Sequence, residues 1–290
     1  MHIVITDSGV GGLSVCAYAE RFVRTNGFSE PVRLTFANAA PANDYGYNSM
    51  PSLEAKLETF DRFLTSVNDR YAPDLVYVAC NTLSVLLPET PFFSKEVIPV
   101  RGIVETAAKL LLRGLDANPE SVAMIFGTQT TIDAGTYPRL LRERGIDASR
   151  IVSQACPGLA DTISEDREGS RTKSEITGWV RTAIAKMQQK SRPVEALLAC
   201  THYGYRRELF ASALAEAGIR ATVINPNERA TDDLFGTQSS TPMNRDAAVE
   251  FVTRYAIPPA TVEALTWFLS DISPRTVAAM QNFVHVPDLF

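Results

Sequence analysis

Cysteine and histidine are scarce in this chain of 290 residues, with four of the first and three of the second. Four scattered cysteines are too few for a disulfide scaffold, and they lack the paired short spacing of a structural zinc site. His2 and His285 stand near opposite ends of the sequence, which leaves His202 alone and argues against a three-histidine metal site. An excess of one charge is also missing: 28 Lys and Arg face 33 Asp and Glu, a formal net charge of −5. That balance disfavours a general nucleic-acid binder or a polybasic membrane binder. No apolar run approaches the ~20 residues that cross a bilayer. The opening MHIVITDSGVGG has no basic leader and carries an Asp where a signal peptide would be apolar. A soluble, cytoplasmic protein is expected, with no nucleic-acid or membrane partner. Low-complexity segments and Pro/Gly/Ser linkers are absent, so any two domains should pack directly on each other.

What is present is a globular composition, 45% apolar and 21% charged, that excludes disorder for most of the chain. The length allows about two domains. Short β-branched runs alternate with amphipathic stretches. HIVIT (2–6), VRLTFA (32–37), DLVYVA (74–79) and residues 97–100 read as strands. LSVCAYAERFVR (13–24) reads as a helix, as does 52–70, where Leu53, Leu57, Phe60 and Leu64 recur at helical spacing. A short helix is expected from about Thr82. The pattern then restarts. SVAMIF (121–126), RIVSQA (150–155), EALLA (195–199) and ATVIN (221–225) read as strands. Residues 130–144, 171–190 and a stretch from about Arg206 read as helices, as do 244–256 and 274–284 in the tail. This alternation predicts an α/β protein with mostly parallel sheets flanked by helices.

The restart keeps a register. Strand HIVIT runs into Asp7-Ser8-Gly9 and strand VAMIF into Gly127-Thr128-Gln129. Strand VYVA runs into Cys80-Asn81-Thr82 and strand ALLA into Cys200-Thr201-His202. Each pair is offset by 120 residues, which points to a duplicated α/β unit. In open parallel sheets ligands bind beyond the carboxyl ends of the strands, where all four tripeptides lie. Inverting a carbon centre needs a base on one face and an acid on the other, and a thiolate with a thiol can serve as both. A strand-to-helix turn is also a place where a cysteine pKa can be lowered. Buried packing is the ordinary fate of a free cysteine. That reading is preferred for Cys16 in its helix and for Cys156 before Pro157. At Cys80 and Cys200 the matched polar neighbours favour chemistry. Asp7 at a strand end suits orienting a donor or an ammonium group, and Asp7 or Ser8 also suits a helix N-cap. His202 beside Cys200 can poise that thiol or bind substrate.

Several motifs, taken in order, carry a family likeness. They are DSGVGGLSV (7–15), DYGYNS (44–49), ACNTLS (79–84), GTQTTIDAGTY (127–137), ACP (155–157) and ACTHYG (199–204). The chain resembles glutamate racemase, of the cofactor-independent aspartate/glutamate racemase superfamily, from ITDSGVGGLSV to at least residue 230. The resemblance implies two pseudo-symmetric α/β domains with the active site between them, at 1–103 plus 220–290 and at 104–219. It implies racemisation of glutamate without pyridoxal phosphate, metal or other cofactor, from L to D, supplying D-glutamate for cell-wall peptidoglycan. Cys80 and Cys200 would be the acid/base pair, acting on the D- and L-enantiomer respectively, with Asp7 and His202 as their supporting groups. Asp7, Ser8, Tyr45, Gly46, Asn81, Thr82, Thr128, Thr131, Thr201 and His202 would bind the amino acid. Hydroxyls, amides and backbone N–H groups suit its carboxylates and ammonium. A homodimer is common in the family.

The chain departs from the family pattern at Asp44 and Gly204, where Pro is usual. It also has Asn225-Pro226-Asn227 in place of Asp-Ser-Gly, and Ser164, followed by Glu165, in place of a Glu. These changes leave both cysteines intact and bear on substrate identity. Aspartate racemase, hydantoin racemase or a related two-cysteine isomerase is the alternative. A non-catalytic amino-acid-binding protein is another, although binding alone has no use for two thiols.

Overall fold

The computed structural model describes residues 1–236 and 244–290. Two compact units emerge, one made of Met1–Ile103 with Asn227–Phe290 and the other of Val104–Pro226. Ten strands occur among the described residues: β1 (His2–Asp7), β2 (Val32–Asn38), β3 (Leu75–Val78), β4 (Val100–Gly102), β5 (Val122–Gly127), β6 (Ile151–Ala155), β7 (Val194–Ala199), β8 (Ala221–Ile224), β9 (Ala247–Thr253) and β10 (Val284–His285). The first unit holds a six-stranded sheet, β10-β9-β2-β1-β3-β4, and the second a four-stranded sheet, β6-β5-β7-β8. Every pairing in both is parallel. Ile3, Val4 and Ile5 of β1 are all buried, as are Ala123, Met124 and Ile125 of β5. Such continuous apolar runs are what a parallel sheet covered on both faces demands.

The 120-residue register persists in three dimensions. The order β2-β1-β3-β4 in one sheet is matched by β6-β5-β7-β8 in the other. Ile3 pairs with Leu75 across β1 and β3. Ala123 pairs with Glu195 across β5 and β7, each residue 120 positions on. Duplicated units with one loop pattern between their two central strands would keep this spacing.

Two expectations are corrected. The segment 244–256 is not helical. Its core is β9, which pairs from Val32↔Ala247 to Ala37↔Val252. Seven residues are too few for helical periodicity to win over a neighbouring strand that buries Phe251 and Val252. Strand β8 does not return to the first unit at residue 220. It pairs with β7 from Val194↔Ala221 to Leu197↔Ile224, the place that β4 takes beside β3. The first unit resumes at Asn227, whose Nδ2 donates to Ser14 Oγ at 2.9 Å. In the helix Leu53–Tyr71 the buried residues are Phe60, Phe63, Leu64 and Val67, while Leu53 is exposed. Ser52 caps it by accepting from Ala55 N at 3.2 Å. The longest helices without a sequence reading are Ile103–Ala117 and Pro259–Leu269. No described helix is long and apolar enough to cross a membrane.

Candidate active site

In the first unit β1 ends at Asp7, which is buried. Gly12 begins the helix Leu13–Asn26 close against it. A Cβ at Gly12 would lie 2.8 Å from Asp7 Oδ2, so only glycine lets the helix start there. That helix has no side-chain cap. Asp7 and Ser8 therefore do not serve as its N-cap, and they turn towards the next strand end. Ser8 Oγ donates to Asp7 Oδ1 at 3.4 Å and lies 3.1 Å from Cys80 Sγ. Cys80 follows β3, is 5% exposed, and precedes the helix Asn81–Leu86. Asn81 and Thr82 are buried in its first turn.

The thiol of Cys80 is not made acidic by this position. Burial, and after it the charge of Asp7, push its pKa up to about 12, against hydrogen bonds from Ser8 and from the Leu83 backbone. Desolvation outweighs the short helix. At neutral pH the resting group is a thiol, ready to give a proton.

Beside Asp7, the Asn38 side chain shapes the loop that leads to Tyr45. Its Oδ1 accepts from Ala40 N at 3.0 Å and its Nδ2 donates to Tyr255 Oη at 3.0 Å. Burial raises the Tyr255 pKa, and Asp7 adds to the rise. Neither Asn38 nor Tyr255 was singled out in the sequence. A polar residue ending a buried strand, like Asp7 one strand over, was the available signal. The loop folds back through an antiparallel bridge between Ala42 and Tyr45. Tyr45 is 42% exposed, and Asp44 is exposed next to it.

The second unit repeats the arrangement with other side chains. Thr128 follows β5 and caps the helix Gln129–Asp133, accepting from Thr131 N at 3.3 Å. Its hydroxyl also lies 3.0 Å from the Thr131 hydroxyl. Cys200 follows β7 and opens a 3-10 turn, Thr201–Arg206. Cys200 Sγ stands 4.0 Å from His202 Nδ1, at the outer limit of a sulfur hydrogen bond. Tyr203 is the brace of this turn. Its hydroxyl donates to Cys156 O at 3.2 Å and to Gly127 O at 3.4 Å, tying the ends of β5 and β6 to the Cys200 turn. Cys16 and Cys156 are buried, and burial raises both thiols, Cys16 to about 12. Both fit packing roles. Glu165 is exposed and pairs with Arg171 at 3.2 Å, while Ser164 donates to Ala160 O. Arg206, buried one turn beyond Tyr203, donates to the carbonyls of Asp166 and Arg167, both at 2.6 Å.

The structure thus brings Asp7, Ser8, Cys80, Asn81 and Thr82 to one strand-end cluster. It brings Thr128 and Thr131 to the end of β5, and Cys200, Thr201 and His202 to the end of β7. Solved structures share this fold. A glutamate racemase isoform from Bacillus anthracis superposes with a TM-score of 0.71 at 19% identity, covering 92% of this chain and 93% of its own. The Campylobacter jejuni glutamate racemase gives 0.70 at 20% identity, covering 92% and 98%. No protein-family model matches the chain. Curated relatives do. The glutamate racemase of Syntrophus aciditrophicus is 30% identical over 210 residues, 69% of this chain and 67% of that protein. The one from Nitratiruptor sp. is 30% identical over 207 residues, 70% and 72%. The class is therefore an isomerase, an amino-acid racemase that works without pyridoxal phosphate. Within that class, the chain belongs to the glutamate racemase family.

Proposed function

We propose that the chain interconverts L- and D-glutamate, with Cys80 and Cys200 as the two acid/base groups, and supplies D-glutamate for cell-wall peptidoglycan. The observation that carries the mechanism is the matched placement of the two thiols. Each follows a central strand of its sheet, 120 residues apart, in sheets of the same topology and register.

The chemistry follows from the surroundings. A thiolate at one cysteine takes the α-proton, and the S–H of the other delivers a proton to the opposite face. Electron density that develops at the α-carbon is drawn into the carboxylate, where hydroxyl and amide donors stabilise it. Ser8, Asn81, Thr82, Thr128, Thr131 and Thr201 are donors of that kind, and Tyr45 with Gly46 complete the set. The charge of Asp7 raises the Cys80 pKa. A substrate ammonium beside Asp7 would offset that charge and ease the thiol towards thiolate, so binding itself activates the base. His202, 4.0 Å from Cys200 Sγ, offers that thiol a proton acceptor, the opposite bias to that of Asp7 on Cys80.

The test uses heavy water, with L- and D-glutamate and L-aspartate offered separately and the α-proton followed by NMR. Loss of the α-proton and of optical rotation is expected for glutamate. Cys80→Ser and Cys200→Ser should each abolish racemisation without unfolding the protein, leaving at most slow exchange of one enantiomer. Near-normal turnover by either variant would refute the two-thiol mechanism. Exchange of aspartate alone would move the substrate.

A further inference from the structure

The two thiol turns stand at matching places but are held differently. After Cys80 the chain enters an α-helix, Asn81–Leu86, and Ser84 N donates to Cys80 O at 2.8 Å. Ser84 adds a second tie, its Oγ donating to Val78 O at 2.9 Å. The segment that carries Cys80 is therefore clamped from within its own turn. After Cys200 the chain enters a 3-10 run instead, Thr201–Arg206, with Tyr203 N donating to Cys200 O at 3.1 Å. Its six residues are long for this helix type, whose hydrogen-bond geometry is poor and whose runs seldom exceed about 3–4 residues. The residue that answers to Ser84, 120 positions on, is Gly204. The side chain that clamps the first turn has no counterpart in the second.

A side chain from the neighbouring strand occupies the place. In the first unit Ser84 lies against Gly102, the last residue of β4. A Cβ on Gly102 would come within 2.8 Å of Ser84 Oγ and 3.0 Å of Ser84 Cβ. Val78 pairs with Gly102. The β7–β8 register ends at Leu197↔Ile224, so its next step sets Asn225 beside Leu198, the residue that answers to Val78. Gly102 thus answers to Asn225. Asn225 is buried, and a Cβ on Gly204 would come 2.7 Å from its Oδ1, 2.9 Å from its Nδ2 and 3.0 Å from its Cγ. The amide covers the bare Cα of Gly204. Neither glycine has a positive φ, so the partner and not the backbone calls for it. Each unit sets one glycine against one polar side chain across the same two positions, and the polar residue has changed sides. Two side chains would collide there, and none would leave a void in a close-packed interior.

We propose that Asn225 is a positioning residue of the Cys200 half-site. Seated on Gly204 from the end of β8, it holds the 3-10 turn that presents Cys200, Thr201 and His202, the task that Ser84 performs for Cys80. This rests on the reading of Cys200 as an acid/base group. Asn225 acts through the backbone of the turn and takes no part in proton transfer.

The reciprocal exchange tests this on the full chain, because Gly204→Ser with Asn225→Gly rebuilds the first unit's arrangement in the second. Asn225→Gly alone should lower kcat for glutamate racemisation roughly tenfold to a hundredfold, as misplacement of a catalytic group does, in assays run well below its melting temperature. Iodoacetamide labelling without substrate, read by peptide mass, should become faster at Cys200 and stay unchanged at Cys80, because only the second turn is loosened. The double variant should regain much of the turnover and the slow labelling of Cys200. Asn225→Ala serves in place of the glycine variant if the latter does not fold. Full turnover by the single variant would overturn the proposal, as would unaltered labelling of Cys200, or a double variant that regains its melting temperature without its turnover. If the wild type racemises neither enantiomer the acid/base reading fails, and the labelling of Cys200 still decides whether Asn225 holds the turn.

Discussion

Replacing Gly12 by alanine would place a Cβ 2.8 Å from Asp7 Oδ2, 2.9 Å from Asp7 Cβ and 3.1 Å from Ala79 Cβ. The carboxylate oxygen can rotate away. The two Cβ atoms cannot, because they are rooted in adjacent strands of the sheet, β1 and the extension of β3. Either the helix Leu13–Asn26 lifts off or the Asp7 backbone shifts. Overpacking of this kind costs about 1–3 kcal/mol. For a unit of this size each kcal/mol lowers the melting temperature by about 2–4 °C, giving a fall of about 2–12 °C. The chemical consequence lies one hydrogen bond further on. Ser8 bridges Asp7 and Cys80 at 3.4 Å and 3.1 Å, so a displaced Asp7 disturbs the environment of the thiol. Misplacement on the ångström scale typically costs about a hundredfold in rate. Differential scanning fluorimetry and α-proton exchange measure the two effects. A melting temperature within about 1 °C of wild type, together with full turnover, would refute the view that Gly12 exists to let the helix approach Asp7.

Two more outcomes follow from the packing and the thiols. Gly204→Ala would bring a Cβ to 2.7 Å from Asn225 Oδ1 and 3.0 Å from its Cγ, and a few degrees should be lost in thermal unfolding. Adding Asn225→Gly should restore part of that loss, the non-additivity expected of contacting sites, and its failure to do so would show that the two departures are independent. Stability should also fall in alkali. The thiols of Cys16 and Cys80 are raised to about 12 in the fold, whereas an unfolded thiol titrates near ~8.5. Above that value the unfolded chain has released protons that the folded chain keeps, so stability falls as pH rises. Each thiol contributes about a tenfold change in the unfolding equilibrium per pH unit. Urea midpoints from about pH 8 to about pH 11 should show a shallower decline for Cys16→Ala than for wild type. Equal slopes would mean that Cys16 is not protonated in the fold at those pH values.

The sheets and both thiol turns were legible because buried parallel strands are written as unbroken apolar runs, as at Ile3–Ile5, and because polar residues at their ends have no packing reason to be there. What escaped was written in less local terms. Strand β9 reads as either period over seven residues, and its pairing with β2 decides the matter. The destination of β8 depends on which edge is open, a property of the whole sheet. Asn38 and Tyr255 act on the loop to Tyr45 through a hydrogen bond spanning 217 positions, which no local motif can show. The direction of the Cys80 shift was misjudged for a related reason. The turn that supplies N–H groups is visible in sequence, whereas the desolvation that overrides them is set by the surrounding fold.

Duplication alone would give two equivalent thiols, and equivalent thiols are a poor start for inversion. The two-thiol mechanism proposed above needs one ionised while the other is protonated, so their surroundings would have to differ. The 120-residue correspondence shows where they do. Asp7 of the first unit answers to Gly127 of the second, so the carboxylate that raises Cys80 is not repeated at the matching position. Thr82 answers to His202, which brings an imidazole near the second thiol alone, 4.0 Å away. Leu83 answers to Tyr203, whose hydroxyl braces the strand ends there. An anionic group favours the protonated form of Cys80, whereas the neighbour of Cys200 is an imidazole, a proton acceptor of a different kind. The common scaffold fixes where the thiols stand, and in the mechanism proposed above the residues that differ between its two copies would set which of them begins with the proton.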